Sequence, residues 1–145
     1  MECKEHIKPN QTGMFLTARA INKDDLSYIK KWYVARKHQG FQCPPFDIFP
    51  ETGYIIEDDI KRLYAAWLYV SNSKVHLLDW IIGDPKARNP EALQILIEHI
   101  CKEAKDTYNA KYVMSVFNNN LILEKQYVTL GFMKGGNCFN YIKIL

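Results

Sequence analysis

Residues 118–132 read Asn118-Asn119-Asn120-Leu121-Ile122-Leu123-Glu124-Lys125-Gln126-Tyr127-Val128-Thr129-Leu130-Gly131-Phe132, and the fold turns on what this stretch does. The asparagine run offers N-cap side chains. Leu121, Ile122, Val128 and Leu130 recur at roughly helical spacing, and Gly131 can take the left-handed conformation that ends a helix. A short amphipathic helix with a defined stop is the expectation. It carries one tyrosine, Tyr127, four residues before the Gly-Phe pair. By itself a tyrosine so placed is more often a core or rim aromatic than a catalyst.

Upstream, Asn89-Pro90-Glu91 is a strong helix start, with Asn as the cap, Pro at the first helical position and an acid in the first turn. Behind it Leu93, Leu96, Ile97, Ile100, Cys101 and Ala104 form an apolar stripe of about three turns. Between the two helices, Tyr112 to Phe117 reads as a strand. Further back, Gly53 to Glu57, Arg62 to Val70 and Lys74 to Ile82 read as three successive antiparallel strands, separated by Asp58-Asp59 and by Ser71-Asn72-Ser73. Thr17 to Ile21 is an opening strand, and Asn22-Lys23-Asp24-Asp25 caps a helix with Leu26, Ile29 and Tyr33 on one face. Residues 36–53 are too broken by Gly and Pro for a long helix and predict an aromatic-lined loop. Phe132 to Met133 and Phe139 to Ile144 predict a closing hairpin around Gly135-Gly136-Asn137.

A chain of 145 residues, 48% of them hydrophobic, is one domain with ample material for a core. No run of about 18 apolar residues is present and Met1 to Asn10 is polar, so a membrane partner and a secretory signal are not expected. The reading is a soluble, cytoplasmic protein. Cys3, Cys43, Cys101 and Cys138 are scattered and read as free thiols, and the four histidines are dispersed, so no metal is expected. A net charge of +3 is too mild for a dedicated nucleic-acid binder. Lys30, Lys31, Arg36 and Lys37 cluster, but a solvated helix face explains them.

The closing segment and the element order resemble the GNAT superfamily of N-acetyltransferases. The carrying positions are Asn120, Tyr127, Gly131 and Phe132, and the order of strands and helices matches from about residue 14 onward. The segments Gly53 to Glu57, Ala65 to Tyr69 and Leu77 to Pro85 are most similar to GNAT-like proteins encoded by bacteriophages. The resemblance implies an α/β (α+β) fold, with a mixed central sheet of about six or seven strands and helices on both faces. It implies a single domain over 1–145, with 1–14 as a flexible N-terminal extension.

It also implies an activity, transfer of an acetyl group from acetyl-CoA to an amine acceptor, with Tyr127 as general acid toward the departing thiolate. Asp79 stands six positions before Pro85, where the family often has its general base. A carboxylate between Leu78 and Trp80 is either buried and perturbed or turned to solvent. Main-chain groups of Ile81, Ile82 and Gly83 would pair with the pantetheine arm, and the helix opening at Asn89 would face the pyrophosphate. The phosphate contacts implied are Lys86, Ala87, Arg88, Asn89, Glu91 and Ala92, with Asn120 at the start of the tyrosine helix. The family pattern Gln/Arg-x-x-Gly-x-Gly/Ala is here Ala87-Arg88-Asn89-Pro90-Glu91-Ala92. It lacks the glycines, and Pro90 removes a donor amide. That departure supports an alternative, a catalytically silent module of this fold that binds a host or virion protein.

Overall fold

The computed structural model describes residues 5–9, 14–40, 42–117, 121–136 and 143–145, and the side chains of all of these except His6 and Leu121. Among them the strands join into one sheet in chain order: β1 (His6–Pro9), β2 (Phe15–Ala20), β3 (Gly53–Glu57), β4 (Arg62–Tyr69), β5 (Val75–Gly83) and β6 (Tyr112–Ser115). Neighbours from β1 to β5 pair antiparallel, and β5 with β6 is parallel. Helix α1 (Lys23–Ala35) links β2 to β3, α2 (Pro90–Asp106) makes the crossover from β5 to β6, and α3 (Leu121–Thr129) follows β6. This is the mixed α/β sheet expected from the sequence.

Two apolar layers explain the composition of the central strands. Tyr54, Ile56, Ala66, Leu68 and Leu78 pack under α2, where Leu93, Leu96, Ile97 and Ile100 meet them. Ile55, Ala65, Trp67 and Ile82 pack on the opposite face against Ile29, Trp32 and Tyr33 of α1. Because both faces are covered, β3 and β4 read as near-continuous apolar runs and not as a simple alternation. Gly53 is needed there, since a Cβ at that position would meet the Trp67 indole Nε1 at 2.5 Å.

The start of α1 is a capping box built as its sequence predicts. The Asn22 side chain accepts from the Asp24 amide at 3.0 Å, and Asp25 accepts from the Asn22 amide at 2.7 Å. Asp25 is fully buried and also receives Arg19 at 2.8 Å and Arg62 at 2.6 Å. Burial by itself would raise this carboxyl. The hydrogen bonds from Arg19, the Asn22 amide and Arg62 outweigh it and hold the pKa at about 2.

Three expectations are corrected or fall elsewhere. The N-terminal extension is not wholly loose: His6–Pro9 pairs antiparallel with Phe15–Ala20, because the β2 edge offers unpaired backbone groups to it. Phe132 and Met133 lie outside any strand, and most of the expected return strand lies outside the described residues. In α3 the inward residues are Leu123 and Tyr127, while Ile122 and Val128 are exposed. The apolar spacing marks the helix, and of the residues it named Leu130 packs against the core, while Leu123 and Tyr127 are the buried i, i+4 pair that meets it.

Candidate active site

Residues 127–132 hold their tyrosine by local geometry. The Gly131 amide donates to Val128 O at 3.0 Å and the Phe132 amide donates to Tyr127 O at 2.9 Å, with Gly131 at φ +86°. These are the two bonds of a Schellman cap, and its usual apolar contact is present as the Tyr127 and Phe132 rings at 4.6 Å. Phe117 also stacks on Tyr127 at 5.1 Å. The Tyr-x-x-x-Gly-Phe spacing therefore has a mechanical meaning: it terminates α3 and holds the phenol ring against Phe132.

The clamped hydroxyl lies 2.6 Å from Ser115 Oγ. Ser115 is the last residue of β6 and pairs with Leu78, the final parallel register between β5 and β6. β5 then runs on to Gly83, so Asp79 to Gly83 have no strand partner on that edge among the described residues. The two strands thus part at the Tyr127 hydroxyl. Burial pushes the phenol well above its ordinary range, the bond with Ser115 opposes the shift, and Cys101 and Asp79 add to it.

At the same fork β5 carries a bulge. Ala65 pairs with Ile82 while Trp67 pairs with Asp79, so β5 has one residue more than β4 across this interval. Trp80 absorbs it at φ +58°, a conformation that strains a bulky residue by roughly 1–3 kcal/mol. The bulge reverses the alternation. Leu78 and Ile81 join the α2 side, whereas Trp80 and Ile82 join the α1 side. Asp79 Oδ1 accepts from the Trp80 amide at 2.7 Å, which leaves the second carboxylate oxygen without a hydrogen bond among the described residues. Burial raises the Asp79 pKa against that backbone bond. Burial raises the pKa of Tyr33, Tyr69 and Tyr127, and the charge of the same carboxylate adds to each.

Around Asp79 on the α1 side stands an aromatic wall. Phe49 stacks on Trp67 at 3.9 Å and meets Trp80 edge-on at 5.8 Å. Trp80 Nε1 donates to Tyr69 Oη at 2.7 Å, and Tyr69 donates to Ile48 O at 3.1 Å. This is the expected aromatic segment, tied to the sheet. Ser115, Tyr33 and Tyr69 escaped the sequence reading as site residues because no local pattern marks them; strand register positions Ser115 and Tyr69, and the packing of α1 on the sheet positions Tyr33.

The α2 end of the groove differs. Asn89 Oδ1 accepts from the Ala92 amide at 3.1 Å, the Asn89 amide donates to Tyr64 Oη at 3.2 Å, and Pro90 has no amide hydrogen. The Lys86 and Ala87 amides donate to Asp84 Oδ1 and Asp84 O, both at 2.9 Å. Arg88 turns one guanidinium nitrogen back to Pro85 O and Ala87 O, both at 2.8 Å. Asn120 lies outside the described residues. No group of three or more His, Cys, Asp or Glu suited to a metal occurs among the described residues, and none of their helices is long and apolar enough to cross a membrane.

No protein-family model matches the chain, and no curated protein sequence matches it. Solved structures do. TTHA1254 from Thermus thermophilus aligns with a TM-score of 0.65 at 20% identity, over 88% of this chain and 96% of that one. N-acetylglutamate synthase from Neisseria gonorrhoeae, complexed with coenzyme A and N-acetyl-glutamate, aligns with a TM-score of 0.69 at 16% identity. There the match covers 84% of this chain but 29% of the longer synthase. AAC(6′)-Iy, in complex with a CoA-linked bisubstrate analogue, aligns with a TM-score of 0.64 at 17% identity, over 90% and 99% of the two chains. At such identities the likeness shows a shared fold.

Proposed function

We propose that this chain, which has the GNAT fold, is an N-acetyltransferase that moves an acetyl group from acetyl-CoA to an amine. The observation that carries the reading is the fork itself: a parallel strand pair that parts beside one clamped phenol and one half-buried carboxylate with an oxygen to spare. Solved structures of similar fold hold coenzyme A or a CoA-linked analogue, which supports the same donor here. In this reading the β5 edge at Ile81, Ile82 and Gly83, which has no strand partner among the described residues, pairs with amide groups of the pantetheine arm and lays the thioester at the fork, the arm competing with the 3.4 Å bond from Arg36 Nε to Gly83 O.

The acceptor approaches past the aromatic wall. Its ammonium loses a proton to Asp79, directly or through water, and the freed nitrogen lone pair attacks the thioester carbonyl. The tetrahedral adduct collapses with cleavage of the C–S bond, Tyr127 gives its proton to the departing thiolate, and the second proton released by the nitrogen returns to the phenolate through solvent, so that a neutral amide, a thiol and the Tyr127 phenol remain. Asp79 returns its proton to solvent. The raised Asp79 pKa narrows the gap to an amine, and the raised Tyr127 pKa keeps the phenol protonated at neutral pH.

Tyr127→Phe keeps the ring clamp and removes the acid, so thiol release should fall at least about tenfold with the fold intact. Unchanged turnover would remove Tyr127 from the proton path. The bonded amides at the start of α2 favour a second reading, a silent module of phage origin that binds a host or virion protein. Under it, acetyl-CoA gives neither heat in calorimetry nor a thermal shift. A cytoplasmic location goes with the enzyme reading, since acetyl-CoA must be at hand.

A further inference from the structure

The groove offers a thioester carrier two handholds, and the structure keeps one of them for itself. In the first turn of α2, Pro90 lacks a donor, the Ala92 amide is capped by Asn89, and the Leu93 amide donates to Asn89 O at 3.3 Å. One residue earlier, Tyr64 takes the Asn89 amide, and the loop amides of Lys86 and Ala87 are turned onto Asp84. Among the described residues of this loop and turn, the Arg88 and Glu91 amides alone remain without an acceptor. Glu91 itself sets a negative charge in the turn that a pyrophosphate would approach. The Tyr64 clamp is built in: its ring lies so close to Gly83 that any Cβ there would collide with it.

Resting on the acyl-transfer reading, we infer that the donor is gripped by its pantetheine arm at the β5 edge and not by its phosphates. The donor class is then any acyl thioester of pantetheine, whatever follows the pantetheine, and acetyl-CoA is one member. Backbone amides that already have partners gain little by exchanging them for phosphate, and exposed Lys86 and Arg88 side chains contribute weak, salt-screened attraction.

Isothermal calorimetry of the full chain with acetyl-CoA, S-acetyl-pantetheine and adenosine bisphosphate tests this. The two thioesters should bind within about tenfold of each other, and the nucleotide should not displace either. Acetyl-CoA binding more than about 100-fold tighter than S-acetyl-pantetheine, or displacement by the nucleotide, would overturn the inference while leaving the acyl-transfer reading standing. Absence of binding by both thioesters would overturn both. Tyr64→Phe releases the Asn89 amide, so it should tighten acetyl-CoA by about threefold to tenfold and leave S-acetyl-pantetheine unchanged. Equal change for the two ligands would show that Tyr64 does not guard a phosphate position.

Discussion

The fork between β5 and β6 and the first turn of α2 stand at the two ends of one connection, yet they treat their backbone groups in opposite ways. At the fork, β6 ends at Ser115 while β5 continues to Gly83, and that stretch of β5 has no strand partner on this edge among the described residues, with Arg36 Nε donating to Gly83 O at 3.4 Å. At α2, Asn89, Tyr64 and Asp84 satisfy most of the amides that an anion would otherwise take, leaving those of Arg88 and Glu91. The start of α1 shows what the second arrangement is for. There Asn22 and Asp25 close a capping box that Arg19 and Arg62 lock. Satisfied helix ends contribute stability; unsatisfied edges are where ligand chemistry is to be sought.

Substitutions sharpen this contrast, because those at the fork should cost rate and those at closed ends should cost stability. The largest effect is expected for Asp79→Asn, which should lower transfer by about 10² to 10⁴ while the denaturation midpoint stays near that of the parent. In the parent, activity should fall with decreasing pH through a carboxyl pKa above the usual aspartate range, since burial raises it. Initial rates across pH measure both, and an Asp79→Asn variant that keeps the same acid limb would assign it to another group.

Next comes Asp25→Ala, which takes the carboxylate from Arg62 and leaves Arg19 with Glu57 as its remaining partner, and should destabilise by about 3–5 kcal/mol. The folded pKa of Asp25 is about 2, below the ordinary 3.8, so its contribution is complete above pH 3.8 and is lost as pH falls toward 2. Urea melts of parent and variant at neutral and acid pH should converge as the pH drops. Constant separation would show that the network does not titrate with Asp25.

The smallest effect joins the two kinds of region. Gly131→Ala forces a side chain onto φ +86° in the Schellman cap and should cost about 1–2 kcal/mol, with a partial loss of rate because Tyr127 loses its clamp. A stability loss without any change in thiol release would show that the phenol does not depend on the cap for its position.

Much of the architecture was readable one segment at a time. The caps at Asn22 and Asn89, Pro90 in the first turn, the apolar stripe of α2 and the stop at Gly131 are contacts within about five residues of each other, so spacing alone exposes them. The buried face of α3 was not readable. Ile122 and Val128 are as apolar as Leu123, and only the position of the sheet decides that Leu123 and Tyr127 turn inward.

The chain order of residue types settled the three helices and the strands β2 to β6, the caps at Asn22 and Asn89, and that Tyr127 would stand at the end of a short helix. The tertiary structure settled how the candidate site is assembled. It set Ser115 against the Tyr127 hydroxyl, used the bulge at Trp80 to reverse the alternation of β5 beside Asp79, and spent the Asn89 amide on Tyr64. The reason is distance along the chain. Caps and periodicity act between near neighbours, whereas the register of strands joined by long connections depends on the packing of the whole sheet.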